Sequence, residues 1–126
     1  MGSGFLKEMA RQFPEWETTR HVNIPNTELL EKIHASLDRG FPVPIEFAAK
    51  NADSQWTLHF GIVTTMDLLN NNIIVQNPYG YEENYSIQDF IGATRYECYE
   101  SMEWYFKTGF NIGLFHKNTM YTMTYK

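Results

Sequence analysis

Two residues stand where chemistry could be done. In SQWTLHFGIVTTMD, residues 54–67, His59 lies in the middle of a run that reads as a buried strand. A short loop later, IIVQNPYGY brings Asn77 to the end of a second strand-like run, just before Pro78. An imidazole beside an amide is a working pair in hydrolases. The amide oxygen accepts a hydrogen bond from one ring nitrogen and fixes tautomer and ring angle, which leaves the other nitrogen to act as a base. If the two runs form a hairpin, His59 faces a residue near position 80. Asn77 is then offset by a few positions, within reach where strands twist or bulge. Gly61, two residues on and on the same face, is expected to leave room beside the ring. The same residues also fit a reading without chemistry, with His59 a hydrogen-bonded core histidine and Asn77-Pro78 an ordinary turn.

A base of this kind needs a nucleophile. The single cysteine, Cys98 in RYECYES, follows both residues in the chain. That order is wrong for a papain-like site, so Cys98 reads as a half-buried, inert thiol. His21, His34 and His116 are scattered, and His34 and Asp38 form an i,i+4 surface pair on a predicted helix. No His/Cys/Asp/Glu set has metal-ligand spacing, so neither metal nor cofactor is expected. The aromatic stretches YGYEENY and YECYESMEWYF could line a peptide groove or pack as core. Glu82, Glu83, Glu97, Glu100 and Glu103 read as a solvated face, which would favour basic peptides if it bordered a groove.

The elements that must hold these residues follow from periodicity. GFLKEMARQF has Phe5, Leu6, Met9 and Phe13 at helical spacing, and Pro14 stops it. EWETTRHVNIP reads as an irregular or extended connection. NTELLEKIHASLDRG is the clearest helix: Asn26 as cap, Glu28 in the first turn, Gly40 just past the end, and an apolar stripe of Leu29, Leu30, Ile33 and Leu37. FPVPIEFAA reads as a short strand that Pro42 and Pro44 confine to an edge or a strand start. WTLHFGIVTTM and NIIVQN form a hairpin around DLLNN, PYGYEEN is a turn, and SIQDFIGAT is a helix with Ser86 and Asp89 spaced as a capping box. SMEWYFKTGF fits helix or strand, and TMYTMTY is a terminal strand. Helices first and then a mostly antiparallel run of strands make an α+β class, with helices on one side of a sheet.

Composition bounds the rest. A chain of 126 residues, 43% hydrophobic and 16% aromatic, fits one packed domain. A net charge of −5 without a Lys/Arg cluster argues against nucleic acid. One cysteine cannot form an internal disulfide, and no run of about 18 apolar residues offers a membrane span. The charged N-terminus does not read as a signal peptide, so a cytoplasmic setting is the default expectation. The first four residues, MGSG, read as an engineered start, which leaves room for more natural chain upstream.

In RGFPVPIEF, WTLHFGIVTTMD and NNIIVQNPYGYEENYSIQDFIG, the chain resembles the C-terminal half of a C39-like peptidase, in the papain-like cysteine peptidase superfamily. Gly40, Pro42 and Val43 match the strand opening, His59 the catalytic histidine, Asn77-Pro78 the third catalytic position, and Ser86 and Phe90 the helix that follows. The resemblance spans roughly residues 27–95 and lies in the order of short motifs. It implies a papain-like C39 fold, His59 as general base and acid, Asn77 as its orienter, and a peptide or protein substrate. The family's nucleophilic Cys lies upstream of the His, and no Cys precedes His59 here. The expectation is a C39-like peptidase domain without its nucleophile; the alternative is an inactive peptide-binding or protein-interaction module on the same fold. An exposed sheet that drives homodimerisation is a third option.

Overall fold

The computed structural model describes residues 11, 15–50, 56–77 and 80–125, apart from the side chains of Trp16 and Tyr125. The predicted first helix and Pro78 fall largely outside them, with Arg11 helical. In chain order the elements are β1 (Trp16–His21), α1 (Asn26–Asp38), β2 (Val43–Lys50), β3 (Trp56–Asp67), β4 (Asn72–Gln76), β5 (Glu82–Tyr85), α2 (Ile87–Thr94), a 3-10 turn (Tyr99–Ser101), α3 (Trp104–Asn111) and β6 (Thr119–Tyr125). The six strands form one open sheet in the order β1-β6-β2-β3-β4-β5, and every pairing is antiparallel. This is an α+β fold.

α1 buries Leu29 and Ile33, with Leu30 and Leu37 beside them, as its stripe requires. Its C-terminus is a Schellman motif: Gly40 at φ +83° donates to Leu37 O, and Phe41 donates to Ser36 O. The N-terminus departs from expectation. Pro25 is the cap, and the Asn26 oxygen instead accepts from Arg95 and from Asn118 at 3.1 and 2.9 Å. Asn26 has been taken from a local cap into a tertiary network that ties α1 to the turns after α2 and before β6.

The hairpin β3–β4 forms around a turn at 68–71, where Asn71 adopts φ 51°. A bulge lies between Val63 and Thr65. α2 starts on Ser86, whose Oγ accepts from Asp89 N at 3.1 Å.

Two readings settle on one of their alternatives, and a third needs correction. Residues 16–21 take the extended form and make an edge strand, because β6 returns and pairs with all six of them. β2 takes the strand-start alternative for its prolines: it lies between β6 and β3, and Pro44 is tolerated at its start, short of the β6 pairing that begins at Ile45. Residues 82–85 are a strand rather than a turn, paired with Ile73–Gln76.

Helices also cover both faces of the sheet, not one. Val43, Ile45 and Phe47 of β2 point toward α1 and α2, into a cluster completed by Val63, Ile73, Val75, Phe90 and Met120. The alternate residue Ala48 and its partner Leu58 point the other way, onto Tyr96, Met102, Cys98 and α3 residues Phe106 and Phe110.

Candidate functional site

The register places the predicted pair. Ile62 pairs with Gln76, the last residue of β4, so a ladder continued by one step would set Gly61 against Asn77, with His59 two residues further along β3. In a regular ladder that diagonal relation would be a Cα separation of about 7–8 Å. β4 ends at Gln76, so the half of β3 that carries His59 has β2 on one side and lies beyond β4 on the other.

The described contacts of the two side chains lead to different neighbours. The half-buried His59 ring lies tilted against Phe47, its cross-strand partner, with centroids 6.1 Å apart. Asn77 is 3% exposed and donates its side-chain amide to Glu83 Oε1 at 2.8 Å. Its backbone is pinned too: Asn77 N donates to Tyr81 O and Asn77 O accepts from Gly80 N, which closes the turn between β4 and β5. The Tyr85 hydroxyl donates to the other Glu83 oxygen. Burial and the Glu83 carboxylate hold the Tyr85 phenol well above the ordinary tyrosine range, so it stays a donor. Asn77, Glu83 and Tyr85 thus form one hydrogen-bonded chain, whereas His59 meets Phe47 of β2.

Gly61 does not leave room beside the imidazole. A Cβ there would lie 2.6 Å from Val75 Cγ1 and 3.0 Å from Phe47 Cε1. The missing side chain lets Phe47 and Val75 close over the strand instead.

A cleft of about 590 Å³ lies between the end of β2, the start of β3, β5 and α2. Sequence reasoning did not locate it, because it depends on how the far end of β2 meets α2. Its walls carry three carboxylates, Glu83, Asp89 and Glu97, and the ring of Trp56. Its one lysine, Lys50, stacks over Trp56 at 5.3 Å from the ring centroid. Cys98 also lines the cleft, and burial pushes its thiol up, away from the thiolate that a nucleophile needs. Glu83 and Glu97 therefore border a groove, whereas Glu100 is exposed and pairs with Lys107 at 3.7 Å. His34 and Asp38 form the expected surface pair at 3.3 Å. Among the described residues no helix is long and apolar enough to cross a membrane, and no group of three His, Cys, Asp or Glu is placed to hold a metal ion.

No protein-family model, no curated protein and no solved structure matches the chain.

Proposed function

We propose that this chain is a non-catalytic peptide-binding module on a C39-like fold, and that its cleft takes an extended segment rich in lysine and arginine. The acidic lining carries this reading. Glu83, Asp89 and Glu97 face a concave space whose one lysine already stacks on Trp56. A guanidinium or ammonium entering there meets carboxylates to pair with and the Trp56 ring to lie against. His59 and Asn77 hold the positions that the resemblance gives to the base and its orienter. The state of Cys98 speaks against thiol catalysis, since its burial favours the neutral form.

Fluorescence anisotropy with a labelled Lys/Arg-rich decapeptide tests the proposal. Saturable binding is expected, weakened by salt and reduced at least roughly tenfold, or about 1.4 kcal/mol, in the double variant Asp89→Lys, Glu97→Lys. A control carries the same charge change on α1, as Glu31→Lys, Asp38→Lys, and should bind as the parent does. Equal losses in both variants, or equal binding of a Glu-rich peptide, would reduce the effect to net charge and sink the proposal. Hydrolysis of the peptide that disappears in His59→Ala would replace it with the peptidase reading.

A further inference from the structure

A second concave site lies apart from the cleft, between α1 and the β1–β6 edge of the sheet. This groove, about 290 Å³, is lined by His21 of β1, Thr122 of β6, and Lys32, Ala35, Ser36 and Arg39 on or just after α1. Lys32, Ser36 and Arg39 recur at i, i+4 and i+7, so the helix presents two cations with a hydroxyl between them on one side. None of the lining residues is acidic. The carboxylate that meets Lys32, Glu28, sits one turn back at 3.8 Å.

Ser36 makes the groove more than a basic surface. It is 1% exposed, and its Oγ has no hydrogen-bond partner among the described residues. A buried hydroxyl in that state carries an uncompensated desolvation cost, which a ligand oxygen would relieve. Across the groove, His21 Nε2 and Thr122 Oγ1 are hydrogen-bonded at 2.9 Å, so the far wall is also polar and ordered.

We propose that this groove binds a phosphate-type oxyanion, either the free ion or a small phosphomonoester. Lys32 and Arg39 supply the charge, while the Ser36 and Thr122 hydroxyls supply short donors. The groove meets α1 near its C-terminal end, where the helix dipole opposes an anion. The attraction must therefore come from the two side-chain cations, and the expected affinity is modest. His21 provides an internal reporter. It is held below the ordinary histidine value by burial first and by Lys32 second, with Glu28 pulling the other way. The groups around it are Lys32 and Glu28 of α1, Arg39 just after α1, and Thr122 of β6. An anion seated among them favours the imidazolium and raises its pKa.

The test is an NMR titration of the intact chain at fixed pH, with inorganic phosphate in one arm and phenyl phosphate in the other. Sodium chloride holds ionic strength constant. Saturable shifts centred on His21, Ser36 and Thr122 are expected, with the His21 ring pKa higher at saturation. The double variant Lys32→Ala, Arg39→Ala should weaken binding roughly tenfold or more. Ser36→Ala should weaken it while leaving the fold as stable as before, since it removes an orphaned hydroxyl. Saturation by phenyl phosphate alone would assign the site to monoesters, and saturation by both would assign it to the phosphate group itself. Non-saturating shifts that chloride reproduces, or unchanged binding in the double variant, would overturn the proposal. Both readouts are independent of the acidic cleft.

Discussion

The two faces of the sheet are built on different principles. The face under α1 and α2 is mainly aliphatic: Leu29, Ile33, Val43, Ile45, Val63, Ile73, Val75 and Met120 meet with almost no exposure. The opposite face mixes rings with charge. Tyr96 and Phe110 pack edge to face at 4.6 Å, with Tyr99 and Phe115 around Phe110. Beside them Glu46, 5% exposed, pairs with Arg20 at 3.7 Å, and burial together with the Glu46 charge raises the Tyr121 phenol above its ordinary range. The aliphatic face has a core to lose. The mixed face has a polar cluster that must stay complete, because a buried charge without its partner costs more than the pair contributes.

Truncation should separate the two most sharply. Ile33→Ala removes a fully buried side chain from the aliphatic face and is expected to lower stability by about 2–5 kcal/mol in urea unfolding. Phe110→Ala, on a half-buried ring, should cost less despite its larger volume, about 2 kcal/mol. If Phe110→Ala proves the costlier change, the mixed face carries more of the core than its burial indicates.

A double-mutant cycle examines the polar cluster. Arg20→Met leaves the Glu46 carboxylate under the sheet without its cation and is expected to cost about 2–4 kcal/mol. Replacing both, Arg20→Met with Glu46→Leu, should recover most of that loss. No second substitution at a neighbouring position should rescue Ile33→Ala in this way, since its cost is a cavity. A double variant no better than Arg20→Met alone would mean that the pair is valued for more than its own charges.

The aliphatic face was legible from sequence, and the other face largely was not. Leu29, Ile33 and Leu37 repeat at helical spacing and Val43, Ile45 and Phe47 at strand spacing, so period alone assigns them a side. Ser86, Gly40 and the Asn-rich turn at 68–71 announced their local structures for the same reason, because each is a short-range rule. Residues 95–117 obey no single period. Tyr96 adopts φ 57° and breaks the chain out of α2, and the rings that follow are placed by contacts made across the sheet. Asn26 was misassigned for a related reason: a distant partner, Asn118, claimed the side chain that local rules gave to the helix cap. At the candidate site, the hairpin formed where spacing predicts, with Asn77 one residue past the end of β4. That Glu83 holds the Asn77 amide is not legible in the sequence, because PYGYEEN has the residues of a turn and β5 forms only by pairing with β4.

Gly61 sharpens the contrast at one position on the aliphatic side. Gly61→Ala pushes a methyl against Val75 and Phe47, both essentially buried, and neither can yield without disturbing its own neighbours. The expected cost is about 1–3 kcal/mol. A neutral or stabilising outcome in urea unfolding would mean that room exists beside His59 after all. Gly40→Ala tests only the backbone: its φ of +83° has open space around it, so the penalty should be near 1 kcal/mol and come from conformation alone.

The smallest effect belongs to the groove between α1 and the β1–β6 edge. His21 is held below its ordinary value of 6.5, so the folded chain resists a proton that the unfolded chain accepts. The unfolded state then binds more protons in the window just below that value, and stability rises with pH across it. The contribution is complete above about pH 6.5 and is lost as pH falls toward the folded value. Thermal unfolding of the parent should therefore show a decline on acidification that is shallower in His21→Gln. Phosphate, by favouring the imidazolium in the fold, should flatten the decline in the parent and leave the variant's slope unchanged. If phosphate moved both slopes equally, the ion would be acting on the whole chain and not through His21.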